Sequence, residues 1–188
     1  IQKLYGEFMK YLLFIILSLF FSNKIYSADF EWTSTGTDEF PIYIEVNKNK
    51  IFMTYNSKFQ FVTNTALFGF ANCSGTIEMI DGQQNQNIMC AVTDSHGNKG
   101  YAKSIPAEKK KIIGNMVGDR IGSSVGSWML LGGEGPFLEL EGTIMTGAYF
   151  AMGKNNDDEG NFIWTGKIEG LPKSTIDRIN NYIPKNEE

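Results

Sequence analysis

A single histidine, two cysteines and five prolines in 188 residues leave little of the chemistry that marks a metalloprotein or a common hydrolase. One imidazole and two thiols cannot fill a tetrahedral zinc site built only from cysteine and histidine, so no metal and no cofactor is expected. Basic side chains are sparse too, 17 against 21 acidic ones, and their only run is Lys109-Lys110-Lys111. Phosphate binding depends on clustered Lys and Arg that release counterions, so nucleic acid is not an expected partner. No apolar run approaches the roughly 20 residues that a membrane-spanning helix needs. What is plentiful is glycine, at 20 residues, and aromatic side chains, at 13% of the chain. That combination suits many short strands joined by tight turns.

The longest apolar stretch, residues 11–21, is preceded by Met9-Lys10 and followed by the small and polar segment Ser22 to Ala28. Basic start, apolar centre and polar end form the layout of a secretory signal peptide, here residues 9–28. Cleavage after Ser27 suits the small-residue preference better than cleavage after Ala28, which would place bulky Tyr26 three residues before the cut. Residues 1–8 precede a plausible initiator at Met9 and read as an upstream extension. Residues 1–28 hold Lys3, Lys10 and Lys24 against Glu7, so removing them leaves 14 basic and 20 acidic side chains, a net charge near −6. The expected product is periplasmic or secreted, with no stable membrane anchor after cleavage.

From Phe40 onward the dominant period is two. Phe40, Ile42, Ile44 and Val46 alternate with Pro41, Tyr43 and Glu45, as a half-buried strand requires. Turn-forming Asn47-Lys48-Asn49-Lys50 follows, then strands over 51–55, 59–67 and 70–80, the last facing 87–93 across a turn led by Asp81-Gly82. Further strands are expected at 100–105, 124–131, 137–141, 143–152 and 161–169. Residues 107–122 read as a long connection, because Gly114, Gly118 and Gly122 weaken both helix and strand. In the tail, residues 172–188, Ile176, Ile179 and Ile183 form one helical stripe, with Ser174 as the candidate N-cap and Pro184 as the stop. Many strands without alternating helices give an all-β domain over residues 29–171, an antiparallel barrel with a short C-terminal helix. Closure removes the exposed edges that short strands would otherwise present.

If Asp81-Gly82 is a two-residue turn, Ile80 pairs with Gln83, and stepping outward from there sets Cys73 opposite Cys90. The alternation makes them a non-hydrogen-bonded pair, whose Cα atoms approach to about 4.5 Å, within the reach of a disulfide. An exported chain with two cysteines is expected to form that bond. The register also puts Ala71, Gly75, Ile77 and Met79 on one face with Ile88 and Val92, as a barrel wall needs.

The elements Cys73-Ser74-Gly75, Asp81-Gly82, Cys90, Asp94, Gly97, Gly126-Ser127-Trp128, Gly132-Gly133-Glu134-Gly135-Pro136-Phe137 and Gly142 resemble small exported bacterial proteins with an allene oxide cyclase-like barrel. Those proteins usually carry Gly-Gly-Thr-Gly-Lys-Tyr, where this chain has Glu134, Pro136 and Phe137. The resemblance covers residues 70–170 and implies the barrel; it transfers no catalytic residue. Gly126-Ser127-Trp128 also resembles the lipocalin Gly-x-Trp signature, but that motif lies on a lipocalin's first strand and here falls past the middle of the chain.

Candidate chemistry is thin. His96 sits between Ser95 and Gly97 in an expected turn and has no companion ligand. Residues 155–160 alternate oxygen-bearing side chains like a calcium loop, yet Gly166 stands where the bidentate Glu belongs. Glu139 and Glu141 alternate with Leu138 and Leu140, a pattern that more often leaves carboxylates in water than in a pocket. Phe162, Trp164, Gly166 and Ile168 share one face, and Ile144, Thr146, Ala148, Phe150 and Met152 another. Phe150 and Trp164 are therefore the residues expected to line an interior pocket for a small apolar ligand. Three functions remain: a binding barrel for such a ligand, an isomerase or cyclase of the allene oxide cyclase type, and an envelope interaction protein with a filled barrel.

Overall fold

The structure is a computed structural model that describes residues 27–81, 83–105, 115–117, 120–154 and 160–184. The expected upstream extension, the expected signal peptide before Ser27, much of the 107–122 connection and most of the calcium-loop-like segment lie outside the described residues.

The strands are β1 (Ser27–Glu39), β2 (Tyr43–Asn47), β3 (Lys50–Thr63), β4 (Phe68–Ile80), β5 (Gln83–Asp94), β6 (Lys99–Ile105), β7 (Asn115–Val117), β8 (Arg120–Gly133), β9 (Ile144–Lys154) and β10 (Gly160–Pro172). All pairings are antiparallel, and β1 pairs with both β10 and β3, which closes eight of them into a barrel. β2 lies outside on β3, and β7 folds back on β8. Side chains alternate in and out along each wall strand. Along β5, Gln84, Gln86, Ile88, Cys90, Val92 and Asp94 are buried while their neighbours are exposed or half-buried. The outward face is mixed: Glu31, Lys58, Gln60, Asn72, Asn87 and Lys103 are exposed and polar, while Val62, Phe68, Phe70, Val125 and Phe150 are exposed and apolar.

One end of the barrel is stoppered. Between β8 and β9 the chain forms a 3-10 helix (Gly135–Leu140), and after β10 it forms α1 (Lys173–Asn180), which packs on the 3-10 helix, β1 and β10. Phe137, Leu140 and Ile179 are buried in the same core as Phe30, Leu67 and Leu171. Gly135, at φ 54°, and Pro136 at the start of the 3-10 helix turn the chain out of β8. Phe137 then lies against Gly100, where a Cβ would meet its ring. Arg178 and Glu139 tie the two short helices together at 2.7 Å, and that contact raises the guanidinium pKa above its usual value.

Several sequence expectations are corrected. Residues 40–46 do not form a half-buried wall strand: Ile42, Ile44 and Val46 are all exposed, and only the short β2 forms. The wall strand before β3 is instead β1, hidden from a hydrophobic scan because its inner face continues past Trp32 as Ser34, Gly36 and Asp38. The strand expected over 137–141 is the 3-10 helix, since Pro136 has no N–H to offer a ladder. Part of the 107–122 connection is strand, in β7 and the start of β8. The C-terminal helix forms, although its N-cap position is Pro172 rather than Ser174.

Candidate functional site

The cysteine register holds through the whole hairpin. Ile80 pairs with Gln83 and Cys73 with Cys90, and the two cysteines are joined with Cα atoms 4.0 Å apart. Both are buried on the inner face, where they form part of a cavity of about 90 Å³. One water needs roughly 10–15 Å³ of such space, so this cavity could hold a cluster of waters or a small organic molecule.

Eight aromatic side chains contribute to its wall. Trp32, Trp128 and Trp164, the only three tryptophans in the chain, all line it. Trp164 is seated by glycine. Gly126, Gly147 and Gly166 face one another across β8, β9 and β10, and a Cβ on Gly147 or Gly166 would run into the Trp164 ring. The ring therefore lies flat against bare backbone, which keeps the largest side chain on this wall out of the middle of the barrel. Phe162 stands between Tyr149 and Phe59, with ring centroids 5.4 and 5.9 Å away. Trp32 stacks on Phe61 at 3.9 Å.

Phe150 is corrected. It is 50% exposed on the outer face, and its neighbour Tyr149 points inward. Apolar residues stand on both faces of β9, so the sequence offers two parities: Ile144, Phe150 and Met152 are exposed, while Met145 and Tyr149 are buried. Trp164 is among the residues that line the cavity. His96 occupies the turn after β5, with Asp94 Oδ1 accepting from the His96 and Asn98 amides at 2.8 and 2.9 Å. Glu139 is held by Arg178 and Glu141 is exposed, so neither enters the cavity. Among the described residues no group of acidic, histidine or cysteine side chains could hold a metal.

Sequence reasoning missed the polar part of the site. Gln84 and Gln86 line the cavity from β5 on the side away from the stopper, buried to 5% and 8% exposure. Gln84 Nε2 donates to Gln86 Oε1 at 3.2 Å. The backbone beneath them is fixed where β5 and β6 cease to pair directly: Ser104 Oγ accepts from the Ile88 amide at 2.9 Å and donates to the Gln86 carbonyl at 3.1 Å. Ser34, Ser124 and the phenols of Tyr55 and Tyr149 complete the polar lining. Tyr149 also donates its hydroxyl proton to Asp38, a carboxyl group that is only 2% exposed. Replacing Tyr149 by Phe removes that donor while keeping the ring. It should destabilise the fold by about 1–3 kcal/mol, read from the urea midpoint; an unchanged midpoint would mean that the bond contributes nothing net.

No protein-family model, curated protein or solved structure matches this chain. What the barrel can do therefore rests on its own geometry.

Proposed function

We propose that the barrel is a binding or carrier module for a small, largely apolar, uncharged molecule, acting in an oxidising compartment outside the cytoplasm. The observation that carries this reading is the cavity itself: lined by aromatic and aliphatic side chains, with a few amides and hydroxyls and, among the described lining residues, no carboxylate, lysine, arginine or histidine. Apolar walls with few polar groups are the general pattern of small-molecule sites, because burial of the ligand's apolar surface supplies affinity and the polar groups supply orientation. An acid–base isomerase would instead need titratable groups of complementary strength converging on the substrate; the lining provides Tyr55 and Tyr149, and the one nearby carboxyl shown to touch them, Asp38, is not among the lining residues and is engaged by the Tyr149 hydroxyl. The disulfide supports the oxidising compartment.

Because every tryptophan faces the cavity, intrinsic fluorescence reports directly on its occupancy. Titration with 1-methoxyheptane, an apolar probe without a hydrogen-bond donor, should give a saturable blue shift of the tryptophan emission as water leaves the cavity. A shift that never saturates, or none at all, would overturn the reading. Native mass spectrometry of freshly purified protein should show a co-purifying small molecule.

A further inference from the structure

We infer that the molecule bound in the barrel carries a neutral hydrogen-bond donor, a hydroxyl or an amide N–H, and docks it on the Gln84 carbonyl oxygen. This rests on the binding reading above and adds the chemistry of the ligand's polar end. Gln84 Oε1 is buried and has no hydrogen-bond partner among the described residues, although its own amide nitrogen is engaged by Gln86. A buried amide oxygen left without a donor is costly, and native proteins rarely tolerate one without a reason. The polarity follows from the direction of the shared bond: with Gln84 Nε2 donating to Gln86, the orphaned atom is an acceptor, whereas exchanging oxygen and nitrogen in both amides would leave a buried N–H there and remove any preference for a donor over an ether oxygen.

The position of this acceptor matters. Gln84 pairs with Met79 next to the β4–β5 turn, whereas the opposite end of the barrel is stoppered by Phe137, Leu140 and Ile179. A ligand lying along the barrel would thus place its apolar body among Trp128, Phe162 and Trp164 and its polar end at the glutamines. The site is also shaped around them: Gly126 lies opposite, and a Cβ there would come within 3.0 Å of Gln86 Nε2. Neutral amides offer a hydrogen bond but no countercharge, so an ionised group would enter this wall without compensation. A neutral donor is the group that gains most there.

The test compares octan-1-ol with its isomer 1-methoxyheptane, which has the same heavy atoms and lacks only the O–H, and with octanoate. Binding is followed by tryptophan emission in the intact protein. The wild type should bind the alcohol about tenfold more tightly than the ether, one hydrogen bond's worth, and octanoate at neutral pH more weakly than either. In Gln84→Leu the alcohol and the ether should converge to within twofold, with the ether's affinity unchanged or improved. Gln84→Met provides a second, unbranched apolar replacement should the leucine variant fold poorly. Equal binding of alcohol and ether by the wild type, or a preference that persists in both variants, would overturn this inference and leave the binding reading intact. If neither compound binds, both fall together.

Discussion

Reduction of the Cys73–Cys90 bond should lower the midpoint of thermal unfolding by roughly 6–12 °C, the shift expected when a domain of this size loses about 3 kcal/mol. The bond closes a loop with a sequence separation of 17, and in the chain-entropy model its main effect is to restrict the unfolded chain. The native wall should change little, because β4 and β5 remain paired on both sides of the cysteines, from Gly69–Asp94 to Ile80–Gln83. Two melts, with and without reductant, and a third on Cys73→Ala/Cys90→Ala measure the effect. The reduced protein and the double variant should agree. Oxidised and reduced proteins melting within about 2 °C of each other would show that the loop is already constrained in the unfolded ensemble.

That hairpin is also the part of the fold most legible in the sequence. Its two strands alternate with little interruption, its turn is short, and one wrong step in register would have turned Cys73 and Cys90 to the two sides of the wall. Legibility fades where side chains stop reporting their side. The inner face of β1 passes from Phe30 and Trp32 to Ser34, Gly36 and Asp38, so an essential closing strand carries hardly more apolar signal than a loop. Residues 137–141 show the opposite failure. Leu138, Glu139, Leu140 and Glu141 alternate like a strand, but Gly135 and Pro136 fix the backbone just upstream, and the segment becomes the stopper.

The candidate site was half legible for related reasons. Trp164 could be anticipated because a large ring among Gly166 and Ile168 needs an interior. Gln84 and Gln86 were overlooked. Flanked by further polar residues after Asp81-Gly82, they read as an extension of the turn, although the register that pairs Cys73 with Cys90 already sets them on the face of Ile88 and Val92. The bare acceptor on Gln84 depends on which groups happen to surround it across the barrel, information that no local pattern holds.

Two phenylalanines that the sequence places together should now behave oppositely. Phe162→Ala is expected to destabilise by about 3–5 kcal/mol, because its ring is 2% exposed and packs between Tyr149 and Phe59 inside the barrel. Phe150→Ala should cost only about 0.5 kcal/mol, since its ring is 50% exposed on the outer face and its loss opens no enclosed void. The two residues lie close together, with Phe162 opposite Ala151 and Phe150 opposite Ile163 on the β9–β10 ladder, so the contrast isolates side-chain direction from position along the barrel. Urea titrations of both variants under oxidising conditions give the two values on one scale. The alanine at 162 should also enlarge the cavity and improve the affinity for longer ethers than 1-methoxyheptane, whereas the one at 150 should leave the tryptophan response unchanged. Comparable losses of stability from the two variants would mean that β9 presents the other parity to the core, and the assignment of Tyr149 to the cavity wall would fall with it.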